Sequence, residues 1–168
     1  MVWDSTWEEV FKNQSWGKYP SEPLIRLIAK NFYGEKDRSK IKILEVGPGT
    51  GANLWYCARE GFSVYGIDGS ETALKLTQDR LNSEIPNWEG ILKLGDICNI
   101  DFDSSIFDCV MDIECLSCIQ EKDISLASSE IVRVLKPGGI FISRGFGKDT
   151  IGYGTGKRID DNTFICDV

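Results

Sequence analysis

The spacing of apolar positions changes character at Lys40. Ahead of that point it is helical. Ser5-Thr6-Trp7-Glu8 reads as a capping box opening a helix with Trp7, Val10 and Phe11 on one face. The segment "NQSWGKYPSEP" is turn-like, and Ser21 then caps a second helix with Pro23 in its first turn and Leu24, Leu27, Ile28 and Phe32 at helical spacing. Gly34 and the charged, solvated "GEKDRSK" end it. Beyond Lys40, short apolar runs alternate with helical ones. The runs predict strands over Ile41–Val46, Ser63–Ile67, Trp88–Leu94, Phe107–Ile113 and Gly139–Arg144. Helices are predicted over Gly51–Glu60, over Ser70–Asn82 with Ser70 as cap, after Cys115, and over Asp123–Leu135, the last ended by "KPGG".

Strands alternating with helices imply an α/β fold, a doubly wound and mainly parallel sheet of about five or six strands with helices on both faces. At 168 residues the chain is one domain with one site, divided as 1–38 (N-terminal helices), 40–144 (core) and 145–168 (tail). Ligands of such sheets bind beyond the carboxyl ends of the strands where the order reverses. That places the site at the ends of the first, second and fourth strands.

The loop leaving the first strand, "KILEVGPGTGANL", fits two cofactor templates. Gly47, Gly49 and Ala52 satisfy the dinucleotide fingerprint, in which a pyrophosphate sits on a helix N-terminus. Read as E-x-G-x-G-x-G, the same stretch suits S-adenosylmethionine, which carries no phosphate. Neighbouring charge bears on the choice. Glu45, two residues before the first glycine, would repel a pyrophosphate by about 1 kcal/mol or more where screening is poor. A sulfonium and an ammonium would instead be drawn to it. Asp68, at the end of "FSVYGID", suits the hydroxyls of a ribose and so serves either cofactor. Asp96 in "KLGDIC" can accept from an adenine amino group while Ile97 packs on the ring, which leans toward the methyl donor.

Composition removes several functions. A formal charge of −7 with no basic run argues against binding nucleic acid or anionic lipid. No apolar run is long enough to span a membrane, and the acidic, aromatic "MVWDSTWEEVF" is unlike a signal peptide, so a cytoplasmic protein is expected. The six cysteines lie mostly in apolar segments without scaffold spacing, and they read as reduced thiols. Cys115 and Cys118 form a C-x-x-C, but with no second pair and no histidine in the chain, no metal site is expected. Trp3 and Trp7, four apart, read as helix-to-core packing.

The motifs "ILEVGPGTG", "VYGIDGS", "LGDI", "FDCVMDIECLSCI" and "VLKPGGIFIS", in this order over residues 40–143, make the chain resemble a class I S-adenosylmethionine-dependent methyltransferase of the small-molecule type. The resemblance implies that Glu45, Gly47, Gly49 and Gly51 meet the methionine part of S-adenosyl-L-methionine. It gives Asp68 the ribose, Asp96 and Ile97 the adenine, and Asp112 the sulfonium side, with Gly69 also among the cofactor-binding residues. It also implies a lid from the first helices, especially "WGKYPSE". Methyl transfer needs a positioned nucleophile and a dry pocket more than a general base. For a hydroxyl acceptor, Asp112 and Glu114 are the candidate catalytic groups, with Trp16, Tyr19 and Arg144 as lid or substrate contacts.

Family members complete the sheet with two further strands, whereas here the glycine-rich tail after Arg144 has 24 residues and one plausible strand, Thr163–Val168. The C-terminal strands are therefore expected to be missing or incomplete. An unpaired edge favours association, so a homodimer through the sheet edge or the tail is expected. The reading is a methyltransferase acting on a small-molecule acceptor. Two alternatives stand beside it: a module that binds S-adenosylmethionine or S-adenosylhomocysteine without turnover, and an NAD-dependent oxidoreductase.

Overall fold

A computed structural model describes residues 4–148, 150, 151, 153–160 and 162–165. Five parallel strands, β1 (Lys42–Val46), β2 (Ser63–Asp68), β3 (Gly90–Leu94), β4 (Phe107–Ile113) and β5 (Leu135–Arg144), form one sheet in the order β3-β2-β1-β4-β5. The chain winds outward from β1 to β3, returns to pair β4 with the other side of β1, and ends at β5. The reversal between β1 and β4 leaves a crevice at their carboxyl ends.

Strand alternation divides the core. Ile43, Val64, Cys109, Met111 and Ile142 face one side, where they pack with Leu24, Ile28 and Phe32 of helix α2 (Glu22–Phe32), with Leu54 and Cys57 of α3 (Ala52–Arg59), and with Leu81 of α4 (Glu71–Glu84). Leu44, Val46, Ile67, Phe107 and Val110 face the other side and meet Ala127, Ile131 and Val134 of α5 (Glu121–Val134). Strands buried on both faces read as continuous apolar runs, which is why β1 and β4 stood out in the sequence. Glu45 and Asp112 interrupt those runs at full burial.

Several local expectations differ from what forms. α1 (Thr6–Asn13) begins where expected, but Ser5 makes no side-chain cap; the Thr6 N–H donates to Asp4 Oδ1 (2.9 Å) and Glu8 is engaged elsewhere. Leu27 of α2 is exposed beside its buried neighbours Leu24 and Ile28. The segment after Cys115 forms a single 3-10 turn, Leu116–Cys118. "KPGG" follows α5 but lies within β5: pairing steps from Phe107–Leu135 to Cys109–Ile140, and the surplus residues of β5 form a bulge. In the tail, β6 (Lys157–Asp160) and β7 (Thr163–Ile165) pair antiparallel as a separate two-stranded sheet, so the tail strand does not join the main sheet. Trp3 and residues 166–168 lie outside the described residues. Among the described residues, no helix is long and apolar enough to cross a membrane.

Candidate functional site

The turn from β1 into α3 is built from glycines that no other residue replaces cheaply. Gly47, Gly49 and Gly51 all have left-handed φ values of 65°, 54° and 76°. A Cβ at Gly47 would come within 2.6 Å of the Cys115 Sγ, and one at Gly51 within 2.6 Å of the Thr77 Cγ2. Their N–H groups are taken within the loop and its neighbours. Gly47 donates to the Ile67 carbonyl (2.8 Å), Gly49 to Asp68 Oδ2 (3.0 Å) and Gly51 to the Pro48 carbonyl (2.9 Å). Thr77, a polar residue on the buried Ala73–Thr77–Leu81 stripe of α4, donates to the Gly49 carbonyl (2.8 Å).

Above this loop lies a cavity of about 450 Å³. Its floor includes Glu45, Gly47, Gly49 and Asp68, and α3 contributes Asn53. Trp7 and Phe11 of α1, with Trp16 and Tyr19 of the following loop, form one wall; Glu114, Cys115, Arg144 and Phe146 form the other. The Trp7, Phe11 and Trp16 rings lie 5.9–6.2 Å apart, and Phe11 sits 3.3 Å from where a Gly49 Cβ would be. A smaller cavity of about 50 Å³ adjoins it, lined by Asp68, Gly69, Asp96, Ile97, Cys115 and Ile119 among others.

Glu45 is 1% exposed, with Oε1 accepting from Asn53 Nδ2 (2.6 Å) and Oε2 left without a hydrogen-bond partner. Burial pushes its carboxyl up to about 8, against the Asn53 bond that lowers it, and Asp68 and Asp112 nearby add to the rise. Asp68 is also buried. It accepts from Gly49 N–H and from Ser70 N–H (2.9 Å), and burial raises its carboxyl against these bonds. The Gly69 N–H adds to these bonds, and the carboxylate still keeps acceptor capacity. Among the described residues, none of Glu45, Asp68 and Asp112 forms an ion pair with a basic side chain. Buried carboxyls of this kind are costly to ionise without a compensating charge.

The crevice gathers most of the expected residues, in two compartments. Glu45, Gly47, Gly49, Asp68, Glu114, Trp16, Tyr19 and Arg144 line the larger cavity; Gly69, Asp96 and Ile97 line the smaller. Two expectations differ. Gly51 turns toward Thr77 and is on neither wall. Asp112 is buried behind the cavity, with Oδ1 accepting from Leu116 N–H (2.9 Å) and Oδ2 from Ser143 Oγ (2.7 Å). It anchors the turn after β4 and faces neither cavity.

Glu114 does face the cavity. Its φ of 74° is a left-handed conformation that a glutamate adopts only under constraint. Its N–H donates to the Arg144 carbonyl (2.7 Å), and its Oε1 pairs with Arg144 Nη2 (3.3 Å). Sequence reasoning missed Trp7, Phe11, Asn53, Cys115, Cys118 and Phe146 as wall residues. Only Asn53 carried a signal, a polar side chain in the first turn after the glycines. The five described cysteines are free thiols.

A family profile described as "Methyltransferase domain" matches residues 44–143. The phthiotriol/phenolphthiotriol dimycocerosates methyltransferase of Mycobacterium leprae is 38% identical over 100 residues, which cover 58% of this chain and 35% of that protein. The demethylmenaquinone methyltransferase of Leptospira interrogans is 30% identical over 145 residues, 84% of this chain and 54% of that protein. The chain thus spans about a third to a half of the length of these curated relatives. Among solved structures, phosphoethanolamine N-methyltransferase 2 of Haemonchus contortus in complex with S-adenosyl-L-methionine matches with a TM-score of 0.63 at 25% identity, over 82% of this chain and 31% of that one. Sheet order, glycine loop and family match agree, and the chain belongs to the class I S-adenosylmethionine-dependent methyltransferases.

Proposed function

We propose that this chain binds S-adenosylmethionine in the crevice above β1 and β4 and transfers its methyl group to a small-molecule acceptor. The observation that carries this reading is the partnerless, buried Oε2 of Glu45 on the cavity wall beside the left-handed glycines. It is an acceptor without a donor, and among the described residues none of the three buried acids Glu45, Asp68 and Asp112 has an ion-pair partner. The ammonium of the methionine end would fill that need. Asp68 has acceptor capacity left for ribose hydroxyls, and Asp96 and Ile97 line the pocket expected to take the adenine. When bound, S-adenosylmethionine supplies an electrophilic methyl on a sulfonium.

The chain's own residues then have distinct tasks. Glu45 and Asp68 orient the donor, while the half-buried Trp7 and Phe11 limit water on their side of the reacting centre. Glu114, held by Arg144, is placed to orient an acceptor or take its proton, a role that the burial of Asp112 makes unsuitable for that residue. The relatives' names refer to dimycocerosates, demethylmenaquinone and phosphoethanolamine, chemically unlike small molecules, so they support the class of acceptor rather than one compound. The acidic charge and free thiols favour a cytoplasmic location. Among the described residues β5 has one pairing partner, β4, which favours self-association along its other side; a strictly monomeric mass at high concentration would exclude that.

The test is calorimetry with S-adenosylhomocysteine and with NAD, followed by methyl release in the presence of candidate acceptors. Binding of S-adenosylhomocysteine and not NAD is expected. Binding of NAD alone overturns the reading.

A further inference from the structure

α1 supplies Trp7 and Phe11 to the cavity wall, yet it has one buried residue, Val10. Trp7 and Phe11 are only half-buried, so the apolar hold on this helix of two turns is partial. Polar contacts complete it. Glu8 reaches from α1 to the start of α4, where its Oε2 accepts from Ser70 Oγ (2.5 Å) and its Oε1 from Thr72 Oγ1 (2.5 Å). The Thr72 N–H adds a longer contact to Oε2 (3.4 Å), and an acidic group at a helix N-terminus is favoured by the helix dipole. The two hydroxyls hold the Glu8 carboxyl below the usual carboxylate range, so it is ionised at neutral pH.

Ser70 is the link. Its Oγ donates to Glu8 and accepts from Ala73 N–H (3.0 Å) as the cap of α4, while its own N–H donates to Asp68 Oδ1 (2.9 Å). The residue that orients Asp68 on one side holds α1 on the other. Glu8 itself lies outside the cavity wall.

We propose that Glu8 is a positioning residue: a clasp that fastens α1 to the Asp68–Ser70 turn and so keeps the aromatic wall closed over the donor site. The inference rests on the reading of that cavity as the S-adenosylmethionine site. The clasp makes part of the donor's affinity depend on a side chain that never touches it. Donor binding and α1 docking then favour one another, because each stabilises the same closed arrangement.

The experiment compares the wild type with Glu8→Ala and with Thr72→Val, which removes one of the two hydroxyls and leaves the Ser70 cap in place. Calorimetry with S-adenosylhomocysteine and amide hydrogen exchange over residues 9–13 are measured for each. If Glu8→Ala lowers the closed fraction of α1 to about a tenth, the apparent Kd rises about tenfold, with a smaller rise for Thr72→Val. Exchange in α1 speeds up in the same order. Bound ligand slows α1 exchange in the wild type more than in either variant. Unchanged exchange in both variants overturns the clasp, and faster exchange with unchanged affinity overturns its part in binding. A wild type that fails to bind S-adenosylhomocysteine defeats the functional reading instead; exchange of the free proteins then still decides whether Glu8 fastens α1.

Discussion

The buried carboxyl of Glu45 makes donor binding a proton-linked event. In the ligand-free protein burial holds this group up to about 8, so near neutral pH it is mostly protonated. A bound ammonium needs the ionised form, and Oε2 is there to receive it. Binding below that value therefore expels a proton. Each pH unit below 8 weakens binding by about 1.4 kcal/mol, so affinity for S-adenosylhomocysteine rises up to about a hundredfold between about pH 6 and pH 8 and then levels off. Calorimetry in two buffers of different ionisation enthalpy counts the proton directly. Glu45→Gln, nearly identical in size, removes both the slope and the released proton and binds more weakly at high pH. Stability shows the opposite trend. Folding raises the carboxyl above its ordinary 4.5, so its contribution is fully present below 4.5 and is lost as pH rises through about 8. The thermal midpoint of the ligand-free wild type should fall across that window relative to Glu45→Gln. A wild-type affinity that is flat with pH, or a slope that survives in the variant, would refute the reasoning.

Three further outcomes follow from particular contacts. Asp68→Asn weakens S-adenosylhomocysteine binding by about 1–3 kcal/mol, read by calorimetry, and also lowers the thermal midpoint, because Gly49 and Ser70 N–H groups lose an anionic acceptor. Gly47→Ala forces a Cβ into the Cys115 Sγ at a left-handed φ, and denaturant unfolding should show a loss of about 1–3 kcal/mol. Phe107→Ala empties a site with no exposure between Tyr65 and Phe102, which the same measurement should report as about 3–5 kcal/mol.

The sheet was legible because its information is local. Apolar runs bounded by glycines and caps mark β1, β2 and β4 without any knowledge of what they pair with. "KPGG" misled because a proline and two glycines end a helix and form a strand bulge equally well, and only the pairing of Phe107 with Leu135 decides between them. The site divides along the same line. Glu45 and Asp68 announce themselves as charges at the ends of buried strands, where burial demands a reason. Asp112 announces itself in the same way, and its reason is Leu116 N–H and Ser143 Oγ, partners 4 and 31 positions away. Glu8 was read as half of a capping box because Ser5 stands three residues before it, whereas its real partners are 62 and 64 positions along the chain. Spacing within a helix carries no trace of contacts between helices.

The inward-turned amides of the glycine loop have a consequence for cofactor exchange. A dinucleotide loop works by supply: it offers N–H groups outward to a pyrophosphate. Here the donors of Gly47, Gly49 and Gly51 are already committed to Ile67, Asp68 and Pro48. Neutralising Glu45 would remove the repulsion felt by a phosphate and still leave these glycines with nothing to hold one. These three glycines therefore add no donor for a dinucleotide, and the direction of their peptide groups works alongside the charge of Glu45.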